Sequence, residues 1–300
     1  MVMPHHVSLL VTTILEASPY YAHGINKALV SLEPDEMQHL EDYLVFCFDQ
    51  GLSIDYLADS YLTIMADILK ETIYFQENGK YRYSSFAEVA NNVYYNDSYM
   101  SLYMHGVFIS LFFWPNHLEL FRFFRESLPK KKKGSYLEIG PGHGYFFSTA
   151  VNLTAYDNFM GIDLSETSIR QTKALVDRHD KIKNIDLRCV NFLEFSLKTS
   201  AFDAIVMGEM LEHVENPQDF LKKIAMIAKK NAYIFITTCI NAPLTDHIYL
   251  FKDTQQIEAL FSECDLRIKH ECILPYLGKT LEESAERRLA INVGYVLEKK

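Results

Sequence analysis

Apolar residues recur every three or four positions through residues 1 to about 128. In "MQHLEDYLVFCFDQ", "DYLADSYLTIMADILKETI" and "HLELFRFFRESL" they fall along one side of a helical wheel, the signature of amphipathic helices. One stretch departs from this. "TIYFQENGKYRYSS" alternates aromatic and polar residues around an Asn-Gly pair and predicts a β-hairpin near residues 73–84. Helices followed by a hairpin suggest a small winged-helix-like unit. From residue 135 the pattern changes. "SYLEIG", "NFMGIDL", "NIDLRCVNF", "AFDAIVMGE" and "NAYIFITTCI" are short apolar runs, interspersed with helical stretches "GYFFSTAVNL", "SETSIRQTKALVDRH" and "NPQDFLKKIAMIAKK". Their richness in Ile, Val, Phe and Leu suits a parallel sheet buried on both faces. "LRIKHECILPY" and "AINVGYVLEKK" predict two more strands around a charged segment, "GKTLEESAERRL". The chain therefore divides into a mainly helical cap, residues 1–129, and an α/β domain, residues 130–300. "PKKKKGS" is the solvated linker between them rather than a nucleic-acid patch, because the chain around it is not basic.

Composition narrows the class. Of 300 residues, 49% are hydrophobic and 23% charged, enough for a sizeable core. The formal charge of −10 speaks against a nucleic-acid partner and leaves a small-molecule substrate open. No apolar run reaches a membrane span, and the first residues lack the basic start of a signal peptide. The five cysteines, Cys47, Cys189, Cys239, Cys264 and Cys272, are scattered and odd in number, as expected of free thiols in a cytoplasmic protein.

The most informative stretch is "YLEIGPGHGYF", residues 136 to 146. A glycine-rich turn after the first strand of an α/β sheet lies where such sheets bind ligands. There is no Gly-Lys-Ser or Gly-Lys-Thr, so a phosphate loop is excluded. The spacing is G-x-G-x-G, and Tyr145 stands where a dinucleotide fold has its third glycine. Asp163, 19 residues beyond Gly144 at the end of the second strand, is placed to accept hydrogen bonds from ribose hydroxyls. The ligand so described carries a ribose without a pyrophosphate.

"LEIGPGHG" (137–144), "GIDLS" (161–165), "VNF" (190–192) and "FDAIVMGEMLEHVENP" (202–217) together resemble the class I S-adenosylmethionine (SAM)-dependent methyltransferases. That resemblance implies a Rossmann-like seven-stranded sheet with its last strand antiparallel and helices on both faces. It implies that Gly140, Pro141 and Gly142 pass close to the methionine part of SAM and that Glu138 orients the loop. Asp163 would hold the ribose, Leu164 and Phe192 would flank the adenine, and Asn191 would face the adenine amino group where the family often has Asp. Glu209 would lie beside the reacting centre.

Glu209, Glu212 and His213 fall at i, i+3 and i+4, so a helical turn would place all three on one face, a set that can bind a divalent cation. The stretch is similar to that of the ubiquinone-pathway O-methyltransferases and the small-RNA 2′-O-methyltransferases, in which E-x-x-E-H ligates a metal. His247, in "NAPLTDHIYLF", would be the added downstream ligand. In class I enzymes without a metal the same histidine packs the loop or acts as a base, and His213 and His247 are the candidate bases. Tyr95, Tyr99 and Tyr103 follow one helical face in "YYNDSYMSLYMHGVF" and, with Asp246, form a candidate lid over sulfonium or substrate, Tyr103 nearest the chemistry. His117, opening the next helix, reads as structural. The expected activity is methylation of a small amino-acid-like, keto-acid or phenolic acceptor at oxygen or carbon. The alternatives are a cyclase that consumes SAM to make a small-ring amino acid and methylthioadenosine, an RNA methyltransferase, or a non-catalytic SAM-binding protein. By analogy with related O-methyltransferases, the first domain would support a homodimer.

Overall fold

The computed structural model describes residues 3–178 and 183–300. The last residue of the predicted helical stretch "SETSIRQTKALVDRH", position 179, lies outside them. Helices come first: α1 (His5–Ala17), α2 (Ala22–Ser31), α3 (Pro34–Asp49), α4 (Ile54–Asn78), α5 (Phe86–Val89), α6 (Asp97–Phe113) and α7 (Pro115–Ser127). Then follow β1 (Ser135–Ile139), α8 (Tyr145–Leu153), β2 (Asn158–Asp163), α9 (Glu166–Val176), β3 (Asn184–Cys189), β4 (Phe202–Met207), α10 (Pro217–Ile227), β5 (Ala228–Ile240), α11 (Thr254–Glu263), β6 (Leu266–Leu274), α12 (Leu281–Glu286) and β7 (Ile291–Lys299).

The hairpin expected at residues 73–84 does not form. Residues 73–78 are the last turns of α4, a helix whose start is capped by Ser53 Oγ accepting from Tyr56 N–H at 3.1 Å. The Asn-Gly pair ends this helix instead of turning a strand. Gly79 takes the left-handed conformation (φ +68) and its N–H closes on Phe75 O at 2.8 Å. The same dipeptide serves either purpose, because both need a positive φ.

The seven strands form one sheet in the order β3-β2-β1-β4-β5-β7-β6. Strands β1 to β5 pair in parallel, while β7 inserts antiparallel to both β5 and β6. This is the Rossmann-like arrangement with an antiparallel last strand. The strand order reverses direction between β1 and β4, so the carboxyl ends of these strands open a crevice for a ligand. Side chains alternate across the sheet. Tyr136, Ala204, Val206 and Phe235 face the same core as the N-terminal helices, including Phe108, Phe112, Phe121 and Phe124. Leu137, Ile139, Ile205 and Met207 face the core formed with α10 and α11 through Leu221, Ile224, Ile257 and Phe261. The lysine run between α7 and β1 is partly anchored, since Lys132 Nζ donates to Asn231 O at 3.1 Å. Among the described residues, no helix is long and apolar enough to cross a membrane.

Candidate active site

The chain leaves β1 and turns through residues 140–144 before α8 begins. Gly142 has a positive φ (+54), and its N–H points at Asp163 Oδ2, 3.3 Å away. Gly144 also has a positive φ (+77), and a Cβ there would lie 2.7 Å from Thr172 Cα. Only glycine lets α8 approach α9 so closely. Asp163, closing β2, also accepts from Ser165 N–H at 2.8 Å. Burial pushes its carboxyl up to about 6. Glu138 is buried in β1, where it accepts from the Tyr136 hydroxyl and from Phe147 N–H, and so ties the strand to the first turn of α8. Burial pushes its carboxyl up to about 8.

The hydrogen-bonding chemistry of this turn suits the ribose of SAM, with Met210 lying against Gly140. Each Asp163 oxygen uses one lone pair on backbone N–H groups of the turn, which leaves acceptor capacity for two vicinal hydroxyls. The backbone at Gly142 is bare. A Cβ there would lie 3.3 Å from the Sδ of Met104, a residue of α6 that lies over the turn. The remaining sequence-predicted residues divide. Pro141 and Leu164 lie in the turn and at the end of β2. Asn191 Oδ1 accepts from Leu193 N–H at 2.9 Å and its Nδ2 donates to Glu194 Oε1 at 3.1 Å, so this side chain organises its own turn. Phe192 is buried and packs on Phe220 at 5.5 Å between ring centroids, part of the core below the cleft.

The second cluster lies at the carboxyl ends of β4 and β5. Glu209, Glu212 and His213 do not share a helical face. Glu209 has a left-handed backbone (φ +47), held by its N–H donating to Thr237 O at 3.1 Å and Thr237 Oγ1 at 3.0 Å. Leu211–His213 then form a single 3-10 turn. A non-glycine residue in this conformation costs about 1–3 kcal/mol and marks functional sites. Glu212 is fully buried; its Oε2 accepts from Thr238 Oγ1 at 2.7 Å. Glu209 Oε1 and Glu212 Oε1 are buried with no close hydrogen-bond partner among the described residues, although the two carboxyl groups face each other and Glu212 Oε1 lies 4.0 Å from His213 Nε2. Burial, with repulsion between the two carboxylates at Glu212, raises both pKa values.

The two histidines stand edge to face, with ring centroids 4.7 Å apart. His213 Nδ1 lies 3.2 Å from Asp246 Oδ2 and 3.1 Å from Asp246 O, both acceptors, so it carries the hydrogen. His247 Nδ1 donates to Ala242 O at 2.5 Å, and burial pushes this imidazole down to about 3. His247 therefore keeps Nε2 as a lone pair, and His213 Nε2 faces Glu212 Oε1 at 4.0 Å. Donor atoms of Glu212, His213 and His247 come within 4.8 Å of one another, as do those of Glu209, Glu212 and Cys239. These two groups, each with the far ring nitrogen or backbone already held, are where a divalent cation could sit. Cys239 was not a sequence candidate, since nothing in its spacing sets it apart from a core thiol.

The tyrosines expected to form a lid are placed differently from the sequence expectation. Tyr95 lies ahead of α6, exposed, its ring edge-on to Phe86. Its neighbour Tyr94 is the one that turns inward, with its hydroxyl donating to Asp246 Oδ2 at 3.0 Å. Tyr103 OH donates to Asp246 Oδ1 at 3.3 Å. Tyr99 stacks on Tyr103 and donates to Asp67 Oδ2 on α4 at 2.6 Å. Helical spacing could not separate Tyr94 from Tyr95, because both precede the helix. His117 is confined at the start of α7, 3.3 Å from Ser110 Oγ, and burial pushes it down to about 4, in keeping with a structural role.

The sheet order and the glycine turn after β1 are those of a Rossmann-like protein. The chain belongs to the methyltransferase-domain family, whose model matches residues 116–288, and it is by fold and family a class I SAM-dependent methyltransferase. It is 31% identical over 114 residues to the ubiquinone biosynthesis O-methyltransferase of Parvibaculum lavamentivorans, covering 38% of this chain and 43% of that protein. It is 28% identical over 120 residues to the mitochondrial ubiquinone biosynthesis O-methyltransferase of Dictyostelium discoideum, covering 37% of each. The chain thus spans about two fifths of the length of these curated relatives. Among solved structures it is similar to the N-methyltransferase NodS of Bradyrhizobium japonicum in complex with S-adenosylhomocysteine, at 17% identity and a TM-score of 0.47, over 62% of this chain and 89% of that one.

Proposed function

We propose that this protein transfers the methyl group of SAM to the hydroxyl or enol oxygen of a small phenolic or keto-acid acceptor. The helical residues 1–129 would act as a cap over a SAM-binding half, residues 130–300. The observation that carries this reading is the buried carboxyl pair of Glu209 and Glu212 clustered with two imidazoles beside the glycine turn. The ubiquinone-pathway relatives, O-methyltransferases by name, support oxygen as the acceptor atom.

When bound, SAM would supply an electrophilic methyl carbon on a good leaving group, a C–O bond to the acceptor replacing the C–S bond and the bonding pair staying on sulfur as S-adenosylhomocysteine. The hydroxyl proton passes to Glu209, whose raised pKa brings it nearer the range in which a carboxylate works as a base at neutral pH. Glu212, His213 and His247 would hold a divalent cation, which would acidify the acceptor hydroxyl. Asp163 and the glycine turn fix the donor, and the tyrosine-lined lid excludes water.

The test is product analysis after incubation of the purified protein with SAM, with and without a pool of phenols, keto acids and amino acids. S-adenosylhomocysteine formed only with the pool supports methyl transfer, and the methylated compound identifies the acceptor. Methylthioadenosine formed faster than background without the pool overturns it in favour of cyclisation. For the cation, calorimetric titration of chelator-treated protein with Mn²⁺ or Zn²⁺ should show binding that Glu212→Gln weakens about 10–100-fold. Equal affinity in both proteins removes the cation from the scheme.

A further inference from the structure

We propose that Asp246 is a positioning residue that ties closure of α6 over the cofactor cleft to the orientation of His213. The inference rests on the reading above only in placing His213 at the chemistry.

Asp246 follows β5 and is 1% exposed. Its carboxylate accepts from two lid hydroxyls, and the ring of His213, from another part of the fold, lies against it while bonding the Asp246 backbone carbonyl. Tyr94 OH reaches Oδ2 at 3.0 Å and Tyr103 OH reaches Oδ1 at 3.3 Å, both from the lid. His213 Nδ1 reaches Oδ2 at 3.2 Å, from the turn after β4. The lid itself lies on the cofactor elements. Met104 lies over Gly142, Asp97 Oδ1 accepts from Thr167 Oγ1 of α9 at 2.8 Å, and Tyr99 holds α6 to α4. Opening the lid to admit SAM must therefore remove two donors from Asp246. A buried carboxylate stripped of two hydrogen bonds does not stay in place, since its desolvation is no longer offset. His213 then keeps its hydrogen bond to the Asp246 backbone carbonyl at 3.1 Å but loses the carboxylate that faces the same nitrogen. Closing the lid restores the carboxylate to its place, so the His213 ring is held by both the carbonyl and the carboxylate of Asp246 only when the cleft is covered. Asp246 thus acts as the link through which lid and histidine sense each other, and the coupling runs equally in both directions.

The experiment measures both directions without needing the acceptor. In one direction, amide hydrogen exchange of residues 91–106 and the release rate of S-adenosylhomocysteine are compared in wild type, Asp246→Ala, Asp246→Asn and His213→Ala. Loss of protection and about ten- to a hundred-fold faster release are expected for Asp246→Ala. Asp246→Asn should recover most of it, because its carbonyl oxygen can serve Tyr94 and His213 while its amide donates to the Tyr103 oxygen. In the other direction, the ring nitrogen resonances of His213 are recorded at about pH 8 in wild type and in the Tyr94→Phe/Tyr103→Phe double variant. Wild type should show Nδ1–H, and the double variant should show a shifted or exchange-broadened ring. His213 resonances unchanged by loss of the two hydroxyls would overturn the coupling. Failure of wild type to bind S-adenosylhomocysteine would overturn the cofactor assignment instead, and the resonance comparison would still decide the role of Asp246.

Discussion

Cofactor affinity should fall with acid through a single group, Asp163. Ribose hydroxyls donate, so they bind the carboxylate and not the carboxylic acid. Burial at the end of β2 pushes this carboxyl up to about 6, against an ordinary value of 3.8. Bound cofactor adds two donors to the ionised form and lowers the value again, so binding below neutral pH releases a proton. The sign follows: affinity is full above the free-protein value and declines as pH drops through it. With a value near 6, apparent affinity should be nearly unchanged at about pH 7.5 and weaker by roughly tenfold at about pH 5. Isothermal titration with S-adenosylhomocysteine in buffers of different ionisation enthalpy reads both the affinity and the released proton. Asp163→Asn should bind more weakly at neutral pH and lose the acid dependence. An affinity in wild type that stays level from about pH 7.5 to 5 would refute the placement of Asp163 on the ribose.

Further outcomes test the scaffold and the turn. Gly144→Ala drives a methyl into the α9 backbone at Thr172 from a left-handed position and should cost about 1–3 kcal/mol in denaturant unfolding, whereas Gly142→Ala, also left-handed but meeting chiefly the flexible end of Met104, should cost less stability and weaken cofactor binding. Gly106→Ala places a Cβ 2.4 Å from Ser60 O, where α6 crosses α4, and should lower the melting temperature through a similar penalty. Arg122 pairs with buried Glu36 at 2.6 Å and also donates to Ser31 O at 3.0 Å. Arg122→Ala should therefore destabilise by about 3–5 kcal/mol, because it leaves a carboxylate buried without its partner.

The α/β half was legible because its signals are local. Each strand is a short apolar run, and the glycine turn announces a backbone conformation that few other residues adopt. The acids Glu138 and Asp163 could be placed because they sit at fixed distances from that turn. What sequence spacing could not supply was anything dependent on a backbone kink or a choice between neighbours. Glu209, Glu212 and His213 do assemble near one another, but through a left-handed residue and a 3-10 turn rather than the helix that the i, i+3, i+4 spacing implied. Tyr94 and Tyr95 are adjacent, and only the path of the chain into α6 decides which hydroxyl reaches Asp246. Asn78-Gly79 reads equally well as a hairpin turn or a helix end, and the length of α4 settles it. Arg122 gave no signal at all, since its partner is 86 residues away.

The shared core has a consequence for how this chain can vary. Phe124 of α7 packs on Phe235 of β5 at 5.2 Å and on Phe146 of α8 at 4.8 Å, and Phe121 packs on Tyr145 at 5.0 Å. A cut at the lysine run would part these rings and leave each fragment with an uncovered aromatic face, each ring forfeiting about 1.5–3 kcal/mol of burial. Neither fragment should stay dispersed in solution alone. The helical part is therefore no exchangeable cartridge. A graft between relatives that swaps acceptor specificity would have to carry α7 and its facing sheet residues as one inheritance, and drift on either side of that seam is constrained by the other.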